Sequence, residues 1–292
     1  MDIQRFNGKY HRASEVAQGV LLLEFNRPPV NAFNDDMWKE LRSIVDDISN
    51  TPEIRVVVLS SALDKVFTAG LDLKAQIELN SPSLDPARKA IQLRDHVLDF
   101  QDAITSLERC RQPIICAMFG TSVGLAIDLA CACDIRLASR DTTFGIFEVN
   151  VGLAADIGTL QRLPKIVGNE SKVKELALTG RKFGAAEAKE IGFVSEMVGN
   201  GRKDVIAAAV DMAKMIASKS PIAVIGTKHL INHARDHTIE EGLRYTAIWN
   251  ASMLQSVDTT EAMTAVMSKR VPQFPSFGGP ASSSNSKSKA KL

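Results

Sequence analysis

Three acidic residues, Asp128, Glu148 and Asp156, lie in the most apolar and glycine-rich third of the chain. Asp128 stands in GLAIDLACACDIRLA, and the other two stand eight residues apart in FGIFEVNVGLAADIGTLQRLP. The apolar patterning of these stretches predicts that all three side chains are buried. An ionised carboxylate removed from water is costly unless it is paired, hydrogen-bonded or protonated. We therefore interpret the three acids as proton-handling groups of an active site.

Buried acids also have a structural role, as helix caps or as partners of buried arginines. Arg136, Arg140 and Arg162 are near enough in sequence to be such partners. Asp134 illustrates this alternative, because ACDIRLA places it at the end of a helix, directly before a strand and close to Arg136. We therefore leave Asp134 out of the predicted site.

Charge and hydropathy exclude several kinds of partner. The 292 residues allow one large domain or two. With 35 Lys and Arg against 34 Asp and Glu, the net charge is +1 and no basic cluster precedes the last few residues, so no nucleic acid is expected. No apolar run approaches the ~18 residues of a membrane helix, and the amino terminus lacks the apolar stretch of a secretory signal. We expect no membrane span.

The cysteines and histidines do not predict a metal site. No two cysteines have the two-residue spacing of zinc ribbons, and we interpret them as small core residues of a reduced compartment. The histidines lie outside the apolar centre or, for His96, on a polar helical face. The residues concerned are Cys110, Cys116, Cys131, Cys133, His11, His96, His229, His233 and His237.

Strand and helix patterns alternate through the first two thirds of the chain. Buried strands are predicted at Val20–Phe25, Val56–Ser61 and Ile114–Gly120, which are short aliphatic runs bounded by turn or charge signals. Asn34 is predicted to cap one helix, and Pro86 suits the first turn of another. The alternation indicates an α/β protein.

Helical patterns take over from Asn200 onward. Helices are predicted at Val205–Ser218, Pro221–Ala234, Thr238–Leu254 and Thr260–Met267. Thr238 and Glu241 form a capping box. The third helix carries more apolar residues than one buried face needs, namely Leu243, Ile248, Trp249, Met253 and Leu254. We expect a homo-oligomer, although core packing explains these residues almost as well.

Motifs for other chemistries are missing from the sequence. No G-x-G-x-x-G follows the first strand, and no phosphate-binding G-x-x-x-x-G-K-S/T is present. Ser122 lies in FGTSVG rather than in a G-x-S-x-G elbow, and no histidine has a plausible partnering position. Nucleotide binding and serine hydrolysis are disfavoured.

The carboxyl terminus is a polar, serine-rich stretch, PASSSNSKSKAKL. It ends in Ala290, Lys291 and Leu292, a variant of the Ser-Lys-Leu peroxisomal signal. We predict a peroxisomal location and an import receptor as partner, with the mitochondrial matrix or cytoplasm as alternatives.

Three segments carry a resemblance to a known family. FTAGLDL at Phe67–Leu73 and VGLAIDLACACDIRLA at Val123–Ala138 resemble the paired active-site segments of the enoyl-CoA hydratase/isomerase, or crotonase, superfamily. EVNVGLAADIGTLQRLPKIVGN at Glu148–Asn169 resembles its delta-3,5-delta-2,4-dienoyl-CoA isomerase branch. The resemblance implies a spiral of repeated strand-strand-helix units. It also implies a catalytic core at 1–199, a helical trimerisation region at 200–272, and a flexible tail at 273–292.

The resemblance also implies site roles. The backbone N–H groups of Leu71 and Leu125 would form an oxyanion hole around a thioester carbonyl, and the loop of Ala69, Gly70, Leu71, Asp72 and Leu73 would lie against coenzyme A. Glu148 and Asp156 would be the acid/base pair that shifts the double bonds of a 3,5-dienoyl-CoA to the 2,4 positions in fatty acid β-oxidation, with Asp128 as the third acid. Coenzyme A is then part of the substrate, and no cofactor is implied.

The sequence departs from the family at the second of these segments. The family commonly has a run of glycines before the position of Asp128, whereas here Leu125 and Ala126 follow Gly124. The added side chains could narrow the acyl channel. The alternatives are an enoyl-CoA hydratase, a simpler enoyl-CoA isomerase of the same fold, and a non-catalytic CoA-binding scaffold. Because Asp156 suits a longer proton relay than a hydratase needs, we favour the dienoyl-CoA isomerase.

Overall fold

A computed structural model describes residues 2–74 and 85–278 of the chain. The chain divides into two compact units, Met1–Ala217 and Ser218–Leu292. The predicted targeting residues Ala290, Lys291 and Leu292 lie outside the described residues, so the signal stays a prediction. None of the helices in the described ranges combines the length and the apolar character that crossing a membrane requires.

The first unit contains all of the described strands. They are β1 (His11–Ala17), β2 (Val20–Phe25), β3 (Val56–Ser61), β4 (Val66–Thr68), β5 (Ile114–Met118), β6 (Thr121–Val123), β7 (Ile135–Ser139), β8 (Thr143–Gly145), β9 (Lys182–Gly184) and β10 (Glu196–Val198). The predicted strands at 20–25 and 56–61 are confirmed. The predicted strand at 114–120 ends at Met118, and the chain then turns at Gly120 into β6.

Two sheets divide these strands. The larger has the order β1-β2-β3-β5-β7-β10, in which only β1 is antiparallel to its neighbour, and the smaller has the order β4-β6-β8-β9. Strands β3 and β5 are buried along their whole length, as parallel strands covered on both faces should be. Each parallel strand of the larger sheet from β3 to β7 is followed by one strand of the smaller sheet.

Helices complete these repeats. The α-helices of the described residues are α1 (Asp35–Ser49), α2 (Pro86–Arg109), α3 (Leu125–Ala132), α4 (Thr159–Val167), α5 (Glu170–Thr179), α6 (Ala185–Glu190), α7 (Gly201–Ala217), α8 (Pro221–Ala234), α9 (Ile239–Met253) and α10 (Val257–Met267). Thus α1 follows β1 and β2, α2 follows β3 and β4, and α3 follows β5 and β6. The predicted spiral of strand-strand-helix units is confirmed.

The predicted helix starts are present. The side chain of Asn34 accepts a hydrogen bond from the N–H of Met37 at 3.1 Å, and Pro86 occupies the first turn of α2. Helices α1 and α2 pack together through Trp38 and Phe100, whose rings stack with centroids 4.9 Å apart. This contact fixes α2 against the core.

Helix α7 belongs to the first unit, whereas the sequence prediction assigned it to the C-terminal region that begins at residue 200. Its buried face consists of Val205, Ala209, Ala213 and Ala217, which pack on the larger sheet. The guanidinium of Arg55 donates to the carbonyl of Ala217 at 3.0 Å. The small alanine side chains let the helix approach the strands closely. The recurrence of small residues every four positions was the signal in the sequence that the prediction overlooked.

The second unit contains α8, α9 and α10. The capping box is confirmed: Thr238 Oγ1 accepts from the N–H of Glu241 at 3.2 Å, and Glu241 Oε2 accepts from the N–H of Thr238 at 2.9 Å. On α9, Leu243 and Ile248 are exposed in the single chain. Subunit packing there, and the trimerisation role of the region, stay predictions.

The packing of α7 predicts that Ala209→Leu destabilises the protein by about 1–3 kcal/mol, because a larger side chain cannot fit between the helix and the sheet. Ala207→Leu, on the exposed side of the same helix, is the matched control and should change the free energy of unfolding by less than about 0.5 kcal/mol. Urea unfolding measures both. Equal effects of the two variants would contradict the assignment of α7 to the core.

Candidate active site

Three strands of the smaller sheet bring the predicted site residues together. Strands β4, β6 and β8 are parallel neighbours. The residue at the end of each is followed within three positions by Leu71, Leu125 or Glu148 respectively. Because the carboxyl ends of parallel strands meet at one edge of a sheet, these residues are neighbours although they are far apart in sequence.

The peptide between Gly70 and Leu71 has a defined direction. The carbonyl of Gly70 accepts a hydrogen bond from the N–H of Phe33 at 2.8 Å, and the N–H of Asp72 donates to the carbonyl of Phe33 at 2.8 Å. In a trans peptide the C=O and the following N–H point in opposite directions. The N–H of Leu71 therefore points away from Phe33.

The orientation of the peptide between Gly124 and Leu125 is also fixed by a hydrogen bond to its carbonyl. The carbonyl of Gly124 accepts from the N–H of Ile127 at 2.8 Å, so the N–H of Leu125 points the other way. Leu125 is the first residue of α3, where a backbone N–H has no acceptor within the helix. The helix dipole adds partial positive charge at this end.

The two peptides lie in contact with each other, and both contain a glycine. A Cβ atom on Gly70 would lie 3.3 Å from the carbonyl oxygen of Val123 and 3.6 Å from the nitrogen of Leu125. A Cβ on Gly124 would lie 3.6 Å from the Cα of Gly70 and 3.5 Å from Glu148 Oε1. Both glycines also have positive φ, +93° and +57°, which L side chains rarely adopt. Two N–H groups and one carboxylate thus border the same space.

That space is a cavity of about 490 Å³ with an apolar lining and one carboxylate. The predicted residues that line it are Ala69, Gly70, Leu71, Leu73, Leu125 and Glu148. Gly124, Phe147, Val151 and Leu153 also line it and were not predicted. The last three flank Glu148 in sequence, and their apolar character next to a predicted acid was the available signal.

The side chain of Asp72 is engaged away from this lining. Its Oδ2 accepts from the guanidinium of Arg27 at 2.8 Å, and Arg27 also donates to the carbonyl of Ala32. The threonine before the loop, Thr68, donates to the carbonyl of Asn31 at 2.6 Å and accepts from the N–H of Gly70 at 3.1 Å. These bonds hold the loop that carries Leu71 from both sides.

Glu148 begins a short 3-10 helix, Glu148–Val151. Its Oε2 atom is buried and has no hydrogen-bond partner among the described residues. Burial, with the negative charge of Asp156 as a smaller contribution, raises the pKa of Glu148 above its ordinary value. A carboxylate oxygen without donors is more basic than a solvated one, which suits proton abstraction.

Asp128 is the most deeply buried of the three acids, at 2% exposure. Its Oδ1 accepts from both the N–H and the hydroxyl of Thr159, at 2.6 and 2.7 Å. Burial raises the pKa of Asp128 to about 7, and the charges of Glu148 and Asp156 act in the same direction, whereas the bonds from Thr159 oppose the shift. Asp128 thereby ties α3 to the first residue of α4.

Asp156 is exposed, so the prediction that all three acids are buried is wrong for this residue, and Glu148 is only half-buried. Residues 152–156 form neither helix nor strand, and the buried side chains here are those of Ala155 and Ile157, which leaves the residue between them exposed. The carboxyl group itself is partly shielded from water, and this burial raises its pKa, opposed by the charge of His96.

Two residues of α2 near Asp156 were missed by the sequence analysis. Gln101 Nε2 donates to the main-chain carbonyl of Asp156 at 2.6 Å, and His96 lies close enough for its charge to act on the carboxyl. His96 had been placed on a polar face without a role. Nothing in the sequence links α2 to a residue more than fifty positions later. By contrast, Asp134, which the prediction left out of the site, accepts from the N–H of Ile114 at 2.7 Å and does not line the cavity.

The raised pKa of Asp128 makes a prediction for stability. Between the ordinary value of 3.8 and about 7 the folded state keeps a proton that the unfolded state has lost, so stability falls as pH rises through this window. Asp128→Asn keeps an acceptor for Thr159 and removes the penalty. At pH 8 the variant should be more stable than the wild type, by up to about 4 kcal/mol for about three pKa units; at pH 4 the two should be equal. Urea unfolding at both pH values measures this, with the exposed Asp64→Asn as control.

If Asp128→Asn is less stable than the wild type at pH 8, the burial of an ionisable carboxyl at this position is contradicted.

Among the described residues, no group of three or more His, Cys, Asp or Glu side chains could hold a metal ion. The four cysteines are free and buried, as predicted. The expectation that the site needs neither metal nor cofactor stays a prediction.

Comparison with known proteins agrees with this geometry. Residues 15–276 match the family described as Enoyl-CoA hydratase/isomerase. The chain is 42% identical to the Rattus norvegicus protein named Delta(3,5)-Delta(2,4)-dienoyl-CoA isomerase, mitochondrial, with 92% of this chain and 83% of the rat protein covered. It is 41% identical to the Arabidopsis thaliana protein named Delta(3,5)-Delta(2,4)-dienoyl-CoA isomerase, peroxisomal, with coverage of 87% and 92%.

The fold is similar to a crystal structure of an enoyl-CoA hydratase from Bacillus anthracis. The TM-score is 0.82 at 28% identity, and the likeness covers 91% of this chain and 99% of that chain. The range that matches the family, 15–276, includes every residue that lines the cavity and all three acids. On these grounds the chain belongs to the enoyl-CoA hydratase/isomerase family.

Proposed function

We propose that the protein is an isomerase that converts 3,5-dienoyl-CoA to 2,4-dienoyl-CoA in fatty acid β-oxidation. The observation that carries the proposal is the buried, unpartnered Oε2 of Glu148 on a cavity that two directed backbone N–H groups also border. A second acid, Asp156, is near enough for its charge to act on Glu148. The relatives from rat and Arabidopsis thaliana that carry this enzyme name support the proposal.

The backbone N–H groups of Leu71 and Leu125 act as the oxyanion hole. Removing a proton from carbon 2 of the substrate turns the thioester carbonyl into a dienolate, whose charge collects on the carbonyl oxygen. Donors that are fixed before the reaction need no reorganisation when this charge appears. The start of helix α3 adds its dipole at the same point.

Glu148 and Asp156 divide the proton transfers. Glu148, ionised, takes a proton from carbon 2, and the C–H electron pair enters the dienolate. Charge spreads to carbons 2, 4 and 6, and protonated Asp156 delivers its proton to carbon 6, which leaves double bonds at positions 2 and 4. The acids then exchange protons with solvent to return to their starting states.

The acyl chain itself helps to protonate Asp156. Asp156 is exposed in the free protein, and an acyl chain lying against Phe147, Val151 and Leu153 would displace water from the carboxyl. Desolvation raises the pKa of a carboxyl further. A bound substrate therefore favours the protonated acid that the second step requires.

Asp128 orients the pair rather than reacting. Its Oδ1 is occupied by Thr159, and its side chain is almost fully enclosed. Neither Asp128 nor Asp156 is among the residues that line the cavity, but Asp156 is exposed and can be reached by a substrate. Holding the first residue of α4 fixes the end of the segment that carries Asp156. A hydratase on this fold would need a second acid beside Glu148 to position a water, and this placement of Asp128 does not favour it.

Location and assembly complete the proposal. Relatives with the same enzyme name are mitochondrial in rat and peroxisomal in Arabidopsis thaliana, and the terminal Ala290-Lys291-Leu292 favours the peroxisome through an import receptor. The exposed apolar residues of α9 favour a homo-oligomer, with a trimer or hexamer as the family resemblance implies.

The division of roles predicts that Glu148→Gln and Asp156→Asn each lower kcat for dienoyl-CoA isomerisation by about 100-fold or more, because general acid and base contribute about 10²–10⁴. The ultraviolet absorbance of the conjugated product follows the reaction. Glu190→Gln, at the exposed end of α6, is the control and should keep wild-type activity. Addition of water to a 2-enoyl-CoA, without dienoyl isomerisation, would establish a hydratase instead.

The oxyanion hole predicts that Gly70→Ala lowers kcat/KM by about 100- to 1000-fold, the cost of losing one such donor. The added Cβ would lie 3.3 Å from the carbonyl oxygen of Val123, and a side chain at φ +93° is strained, so the Gly70–Leu71 peptide should shift. Gly168→Ala is the matched control, since Gly168 also has a positive φ, +68°, and a Cβ there meets nothing within 4 Å. Circular dichroism confirms that both variants fold. Wild-type kcat/KM in a folded Gly70→Ala protein would refute the proposed role of the two peptides.

A further inference from the structure

The segment that carries Asp156 has little regular structure to hold it. It runs from the end of the 3-10 helix to the start of α4, and residues 152–156 are neither helix nor strand. The N–H of Leu153 donates to the carbonyl of Glu148 at 3.1 Å at one end, and Thr159 is bound to Asp128 at the other. Between these ends, Ala155 and Ile157 on either side of Asp156 are buried, and Asp156 itself makes a further contact.

Gln101 supplies a direct hold on Asp156 itself. Its side-chain amide donates to the main-chain carbonyl of Asp156 at 2.6 Å. Gln101 stands in the middle of the 24-residue helix α2, next to Phe100, whose ring is stacked against Trp38 of α1. The donor is therefore anchored on a rigid, packed helix, while the acceptor lies in an irregular segment. A bond of this kind positions the segment relative to the helix.

The position of the Asp156 carboxyl also decides its charge state. Three titratable groups on three elements act with it: His96 on α2, Glu148 on the 3-10 helix and Asp128 on α3. Burial raises the pKa of Asp156 and the charge of His96 lowers it, while the charge of Asp156 raises the pKa of Glu148 and of Asp128. A shift of the segment away from α2 would change this balance and let water reach the carboxyl.

We propose that Gln101 is a positioning residue that holds the main chain of Asp156 so that its carboxyl faces the distal end of the acyl chain and stays partly shielded from water. Gln101 is not among the residues that line the cavity, and in this proposal it acts through Asp156. This inference rests on the proposed function, because it assigns the hydrogen bond to the second proton transfer.

Two substitutions of Gln101, compared with each other, test the proposal. Gln101→Met keeps the length of the side chain and removes the donor, and Gln101→Glu removes the donor and adds a negative charge beside Asp156. Both should lower kcat for 3,5-dienoyl-CoA about tenfold and leave KM within about twofold. Gln161→Met, at an exposed glutamine of α4, is the matched control and should leave both constants unchanged.

The pH profile separates positioning from a general structural effect. The alkaline limb of kcat reports loss of the proton from the acid in the substrate complex. In Gln101→Met this limb should move to lower pH, because the lost shielding from water, which has the largest effect on this pKa, outweighs the lost charge of His96. In Gln101→Glu it should lie at higher pH than in Gln101→Met, because a neighbouring negative charge opposes ionisation. Coincident limbs in the two variants, or wild-type kcat in either, would overturn the proposal.

Failure of the inference can be distinguished from failure of the proposed function. If the wild type does not isomerise 3,5-dienoyl-CoA, the proposed function fails, and amide hydrogen exchange then tests the inference without substrate. The peptide that covers residues 153–158 should exchange faster in Gln101→Met than in Gln161→Met. Equal exchange would show that Gln101 does not hold the segment, whatever reaction the enzyme performs.

Discussion

The site depends on the approach of two peptides, Gly70–Leu71 and Gly124–Leu125, to within ordinary contact distance. Their carbonyls are both occupied by other backbone N–H groups, those of Phe33 and Ile127, so their own N–H groups must face the other way. Positive φ favours glycine at both positions, and a Cβ on Gly70 would also crowd the carbonyl oxygen of Val123. The parallel pairing of β4 with β6 makes this approach possible, because it places the two loops at the same sheet edge. The same pairing, continued to β8, adds Glu148.

The three acids of the site differ in how much of each side chain is exposed to water. Asp128 is buried and bound to Thr159, Glu148 is half-buried with one oxygen unpartnered, and Asp156 is exposed. Burial raises the pKa of all three, but the surroundings assign them different tasks. In the proposed mechanism, Glu148, which has an unpartnered oxygen and lines the cavity, takes a proton. Asp156 gives a proton once the acyl chain has displaced water from its carboxyl. The buried acid costs stability at neutral pH, which is common for groups retained for function.

Local signals allowed much of the fold to be predicted from the sequence. The caps at Asn34 and Thr238, the proline at 86 and the aliphatic runs of β2 and β3 depend on neighbouring residues, and they are present as predicted. The motifs around Glu148 and the loop at 69–73 also placed these residues in the predicted site, and Glu148 and four residues of the loop line the cavity. The exposure of Asp156, the packing of α7 on the sheet, and the bond from Gln101 to Asp156 depend on contacts between distant parts of the chain. No periodicity or motif in a single sequence encodes those contacts.

The central claim is that Glu148 and Asp156 serve opposite ends of one dienolate, and deuterium exchange tests it most directly. A 3,5-dienoyl-CoA is incubated with enzyme in heavy water, and both product and recovered substrate are analysed by NMR. The wild type should place deuterium on carbon 6 of the 2,4-dienoyl product. Asp156→Asn should still exchange the hydrogens on carbon 2 of the substrate without forming product, and Glu148→Gln should do neither. Loss of carbon 2 exchange in Asp156→Asn, or its retention in Glu148→Gln, would contradict the account.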